Sequence, residues 1–179
     1  MPNSPSPQTK CVFLDRDGVL NEELGDYITK IDDLIIPEGV PGALKALKAA
    51  GYLLVVITNQ AGIAKGLYGP ELVYAIHKKM QEASDYAMDY LYFSPYHPDF
   101  SGKSLSRKPD SLLIEKAIAK YNIDASQSWM VGDRGRDMLA GKKVKLRTIQ
   151  ILSEHEALVG DHGAANLAEA AEIILKQVS

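Results

Sequence analysis

Cysteine is almost missing from this chain: Cys11 is the only one among 179 residues. An internal disulfide is therefore excluded, as is a metal site built from several thiolates, and a reducing, cytoplasmic compartment is the expectation. Neither sign of charge is in large excess, since 20 Lys and Arg against 23 Asp and Glu leave a formal net charge of -3. That balance gives no electrostatic reason to expect nucleic acid or an anionic membrane as partner. Apolar runs are short, none nearing the roughly 20 residues that span a bilayer. Residues 1–10 carry prolines at positions 2, 5 and 7, lack the apolar stretch of a secretory signal, and are read as a flexible tail. No Walker segment, dinucleotide fingerprint, internal repeat or low-complexity tract occurs, so nucleotide-driven chemistry has no support.

What is present is an apolar content of 46%, enough for the core of one domain over residues 11–179, expected to act as a monomer. Continuous apolar runs at Cys11 to Leu14, Leu53 to Ile57, Trp129 to Val131 and Lys145 to Leu152 predict parallel strands buried on both faces, with a weaker candidate at Leu91 to Phe93. Helical spacing lies between them, over Val40 to Ala49, Pro70 to Met88 and Asp110 to Tyr121. A last helix follows Asn166, where Asn166 and Glu169 form a capping-box pattern. Strand and helix alternating about five times predict an α/β fold, a three-layer doubly wound parallel sheet with no large cap domain. Ligands of such sheets collect outside the carboxyl ends of the strands. Asp15, Thr58 and Asp133 each follow a predicted strand and should share one crevice. The stretch at about 17–37 is too long for a tight connection and is read as a flap over it.

The segment Phe13-Leu14-Asp15-Arg16-Asp17-Gly18 carries the sharpest chemistry. Two carboxylates two residues apart on a turn can work together, one attacking phosphorus while the other handles the leaving oxygen's proton. An acidic pair alone is more often a solvated turn. Here other groups accompany it. Thr58 offers a hydroxyl and nearby amides to phosphate oxygens, and Lys108 a positive charge. Asp133 can join Asp15 in holding a hard cation, for which magnesium is the natural choice.

These four segments, in this order, resemble the motifs of the haloacid-dehalogenase-like hydrolases, whose fold is Rossmann-like. The resemblance implies that Asp15 is the nucleophile and Asp17 the general acid and base. Thr58 and Lys108 would hold the phosphoryl group. Magnesium would be bound by Asp15, Asp133 and the backbone carbonyl of Asp17, with Asp137 nearby to orient Lys108. A closer resemblance, carried by Thr58-Asn59-Gln60-Ala61-Gly62-Ile63-Ala64-Lys65-Gly66 and Arg107-Lys108-Pro109, is to the D-glycero-D-manno-heptose 1,7-bisphosphate 7-phosphatases, with histidinol-phosphate phosphatases in the same branch. It implies a small sugar phosphate as substrate, bound by Glu23, Tyr27, Asn59, Gln60, Arg107 and Arg134.

One departure stands out. Members of that branch often carry a zinc loop of three cysteines and a histidine before the Arg-Lys-Pro segment. Here Ser94, Tyr96, Ser104 and Ser106 occupy the corresponding stretch, and neutral hydroxyls are poor zinc ligands. No structural zinc is expected. A phosphorylatable receiver domain would also use Asp, Thr and Lys on this fold type, but its accepting aspartate follows the third strand rather than the first. The histidines are read as bland: His77 on a solvated helix face, His155 beside Glu156 on the surface, His162 in a turn.

Overall fold

The computed structural model describes residues 8–154 and 156–177. Its centre is one parallel sheet of β1 (Cys11–Leu14), β2 (Leu53–Asn59), β3 (Tyr90–Ser94), β4 (Trp129–Gly132), β5 (Arg147–Ile151) and β6 (His162–Ala164), in the order β3-β2-β1-β4-β5-β6. β1 and β4 are buried along their whole length, which is why they read as unbroken apolar runs instead of alternating ones.

Alternate residues of these strands feed two separate cores. Val12, Leu14, Leu54 and Val56 pack with residues of α1 (Gly39–Ala49), α2 (Pro70–Ala83) and α6 (Leu167–Lys176), including Leu44, Leu47, Ile76, Met80 and Ile174. Cys11, Phe13, Val55 and Ile57 pack instead with Ile114 and Ala117 of α4 (Leu112–Tyr121) and Met138 and Ala140 of α5 (Gly135–Lys143). The three-layer, doubly wound architecture expected from the sequence is thus present. The remaining short elements are α3 (Pro98–Ser101) and two 3-10 turns, Ile31–Asp33 and Ala125–Gln127.

The strand order sets the site. From β1 the chain winds outward through β2 to β3, and then returns to β4 on the other flank of β1. The connections leaving β1 and β4 diverge, which opens a crevice between their carboxyl ends. Residues 15–37 lie across this end with one 3-10 turn and no cap domain, while Val19, Leu20, Ile28 and Leu34 sink into the core and hold the connection down.

Several sequence expectations are corrected. Helix α2 stops at Ala83, not Met88, because Asp85 and Tyr86 adopt left-handed backbone at φ 56° and 57°. His162 is no turn residue: it opens β6, pairs with Ile149 and sits 5.8 Å from the Trp129 ring. His77 is half-buried rather than solvated, and burial, aided by Arg16, lowers its pKa. Thr9 and Lys10, assigned to the tail, are tied in: Thr9 exchanges backbone hydrogen bonds with Asn122 and Asp124, and the Lys10 carbonyl accepts from Leu53. Residues 1–7, His155 and Val178 of the last predicted helix lie outside the described residues. The capping box of α6 is present in altered form, with Asn166 Oδ1 accepting from Glu169 N at 3.0 Å and Glu169 reaching back to Ala165 N.

Candidate active site

β1 ends one residue before Asp15 and β4 one residue before Asp133, so the two strands flanking the crevice deliver both carboxylates to it. The first turn of α5 adds Asp137. All three are buried, and each offers an oxygen within 4.8 Å of the others. Two glycines permit this crowding. A Cβ on Gly18, whose φ is +77°, would stand 2.5 Å from Asp133 Oδ2, and one on Gly132 would stand 2.3 Å from Asp137 Cβ.

Lys108 is the counter-charge. Its Nζ lies 2.9 Å from Asp15 Oδ1 and 2.7 Å from Asp137 Oδ1, and donates to the Ile57 carbonyl at 2.7 Å. Asn59 fixes the Lys108 backbone from both sides, its Nδ2 donating to the carbonyl and its Oδ1 accepting from the amide, each at 3.0 Å. One ammonium does not balance three carboxylates. Burial, and then repulsion from Asp137, push Asp15 up to about 7 against the pull of Lys108. Burial and Asp137 likewise push Asp133 up to about 6, against Arg134 and Arg136. Burial disfavours charge on Lys108, but Asp137 and Asp15 outweigh it and raise its pKa.

Such a cluster suits a hard divalent cation. Asp133 Oδ1 is buried with no hydrogen-bond partner, an expensive state unless something positive sits against it. The donors are all carboxylate oxygens, the chemistry magnesium prefers.

Asp17 is half-buried beside this cluster. Arg16 grips it through Nε and a terminal nitrogen at 3.1 and 2.8 Å, and Asn21 Nδ2 donates at 3.1 Å. Gln60 bridges two predicted site residues, donating from Nε2 to Asp17 Oδ2 at 3.1 Å and to Thr58 Oγ1 at 2.8 Å. Tyr68 Oη donates to Gln60 Oε1 at 2.7 Å and so orients the amide.

From Asp17 a cleft of about 260 Å³ runs outward, lined by Glu23, Tyr27, Asn59, Gln60 and Arg107 among others. Five of the six expected sugar-binding residues therefore share it. Arg134 does not: it is spent on Asp133 at 3.0 Å, Glu156 at 3.4 Å and Glu23 at 3.7 Å, on a neighbouring recess. Arg16, Tyr68 and Arg136 line the cleft and escaped the sequence reading. The two arginines each adjoin a motif aspartate, which was their only signal; Tyr68 had none. At the end of β3, in the stretch that corresponds to the zinc loop of the branch, Ser106 Oγ lies 2.9 Å from Ser94 Oγ and 2.8 Å from Ser104 Oγ, so hydroxyls join the strand to the Arg107-Lys108 turn. Tyr96 stays exposed.

The parallel sheet and its crevice of aspartates and lysine define a haloacid-dehalogenase-like hydrolase. A family described as HAD-hydrolase-like matches residues 105–175. The D-glycero-beta-D-manno-heptose-1,7-bisphosphate 7-phosphatase of Haemophilus ducreyi is 38% identical over 160 residues, 85% of this chain and 87% of its own. The D-glycero-alpha-D-manno-heptose-1,7-bisphosphate 7-phosphatase of Burkholderia mallei is 32% identical, covering 94% of this chain and 89% of its own. A crystal structure of the D,D-heptose 1,7-bisphosphate phosphatase from B. bronchiseptica, complexed with magnesium and phosphate, superposes with a TM-score of 0.85 at 28% identity, over 94% of this chain and 99% of that one. The chain belongs to this family, the D-glycero-D-manno-heptose-1,7-bisphosphate 7-phosphatases of the haloacid-dehalogenase-like superfamily.

Proposed function

We propose that the protein hydrolyses the 7-phosphate of D-glycero-D-manno-heptose 1,7-bisphosphate, leaving heptose 1-phosphate, through a phosphoaspartate on Asp15. The observation that carries this is the buried contact of Lys108 with Asp15 and Asp137 at the strand ends, in a chain of this family. Lys108 and the Arg16 amide both bind Asp15 Oδ1, which leaves Oδ2 to attack phosphorus. As that bond forms the P–O7 bond breaks, and Asp17 delivers a proton to the departing sugar oxygen. Asp17 then takes a proton from water, the water oxygen attacks phosphorus, and the bond to Asp15 breaks to release phosphate. Thr58 accepts from Gln60, so its own hydroxyl proton is free to donate to a phosphoryl oxygen. Lys108 stabilises charge on the same group, and Asp137 keeps it oriented.

Asp15, Asp133 and the Asp17 carbonyl would hold magnesium, which supplies neutralisation of the anionic nucleophile and phosphoryl oxygens. The sugar would lie against Glu23, Tyr27, Gln60 and Arg107, with Asn59 acting on Lys108 and Arg134 at the recess beside Asp133. We take the protein to be a cytoplasmic monomer without structural zinc, a view supported by the hydroxyl-lined loop. Among the described residues no helix is long and apolar enough to cross a membrane.

With magnesium and the bisphosphate, the purified protein is expected to release one phosphate per sugar and leave the 1-phosphate, read by phosphorus NMR. Asp15→Asn should reduce the rate by several orders of magnitude. A mutant as active as the parent would remove Asp15 as nucleophile.

A further inference from the structure

Arg107 immediately precedes Lys108, and Arg136 immediately precedes Asp137, so each guanidinium is one residue from a group in the reactive cluster. Both line the cleft that opens from Asp17. Their neighbours' charges are spent: Arg16 on Asp17, Arg134 on Asp133, Glu156 and Glu23. Arg107 and Arg136 are not. Arg107 donates to the Tyr96 carbonyl at 3.1 Å, and Arg136 Nε is buried with no hydrogen-bond partner. Neither has an ion pair with a carboxylate among the described residues. Glu23 and Asp26, the acidic groups on the outer cleft wall, accept instead from Gly25 N and Tyr27 N. Burial, followed by repulsion from Arg136, lowers the pKa of Arg107 against a smaller pull from Tyr27, so the two cations lie close enough to repel each other.

Two guanidiniums in such a position form a fork for a dianion, able to grip two or more oxygens at once. Arg107 already stands in the substrate set that the family resemblance implies; we infer that Arg136, which that set leaves out, joins it at the phosphate that is not hydrolysed and selects bisphosphorylated sugars over monophosphates. This rests on the function proposed above and adds to it a specificity determinant outside the substrate set read from the sequence. Arg136 makes no hydrogen bond or ion pair among the described residues and reaches Asp133 only through its charge, so its replacement leaves no bonded partner stranded and the variant should fold.

The test compares kcat/KM for heptose 1,7-bisphosphate with kcat/KM for p-nitrophenyl phosphate, a monophosphate probe, in the parent, Arg136→Ala and Arg136→Lys. In the parent the ratio should favour the bisphosphate. In Arg136→Ala it should fall about tenfold or more, mainly through KM, as expected for loss of a charge-assisted contact. Arg136→Lys should retain part of the preference. An unchanged ratio in Arg136→Ala, or equal losses on both substrates, would overturn the assignment while leaving the bisphosphatase reading intact. A parent enzyme with no preference for the bisphosphate would instead sink the proposed function, and the inference with it.

Discussion

Asp15 and Asp133 take up protons more readily in the folded chain than in an unfolded one, because folding buries them together with Asp137. An unfolded aspartate titrates near 4. Between about pH 4 and about 7, therefore, these two carboxyls hold more protons in the metal-free native state than in the unfolded chain, and their contribution to stability falls as pH rises through that window. A cation seated among the carboxylates removes the cause. The gain in Tm on adding magnesium is thus expected to be clearly larger at pH 7.5 than at pH 5, measured against protein in chelator; an equal gain at both would show that the ion binds elsewhere. Asn59 provides a second check. Its side chain makes two hydrogen bonds to the Lys108 backbone, each worth about 1 kcal/mol. Asn59→Ala should lower Tm and also depress kcat, since it loosens the residue that holds Asp15.

At the scale of elements, sequence legibility follows burial. β1, β2, β4 and β5 announced themselves because strands covered on both faces need continuous apolar runs. Their ends then located Asp15, Thr58 and Asp133 by the strand-end rule alone. β6 was hidden: His162-Gly163-Ala164 has no β-branched or large apolar residue, and only its pairing with β5 makes it a strand. The end of α2 was hidden too, since helical spacing continues past the point where the backbone turns left-handed. In the site, the residues that meet at the strand ends were readable and those that support them were not. Nothing in the chain order reveals that Gln60 links Asp17 to Thr58, or that Arg134 is saturated while Arg136 is not. The Ser94–Ser106–Ser104 linkage belongs to this scale as well, tying β3 to the turn that bears Arg107. Ser106→Ala would leave the fully buried Ser94 hydroxyl without that partner, at a cost of about 1–3 kcal/mol. KM for the bisphosphate should rise more than kcat falls, because the displaced turn carries Arg107, proposed above as a substrate contact; unchanged kinetics would show that the turn holds its shape unaided.

Across the whole molecule, one sheet separates two cores and gathers its candidate site at the carboxyl ends of its central strands. Stability and catalysis can therefore be perturbed separately. Ile114 is fully buried on the α4 side of the sheet, in a core that includes Phe13 and Ile57. Ile114→Ala should cost about 2–5 kcal/mol by opening a cavity, seen in denaturant melts, while kcat per folded molecule stays near the parent's. A matching fall in kcat would mean that the core transmits strain to the strand ends.

The serines beside the cleft have a consequence for the conditions under which the protein works. A rim stitched by hydroxyls has no sulfur to lose to peroxide there, and Cys11 is fully buried with its thiol held protonated. If the proposed zinc-free rim holds, turnover should continue through peroxide exposure and zinc chelation, conditions that threaten any relative whose rim is clasped by metal-bound cysteines.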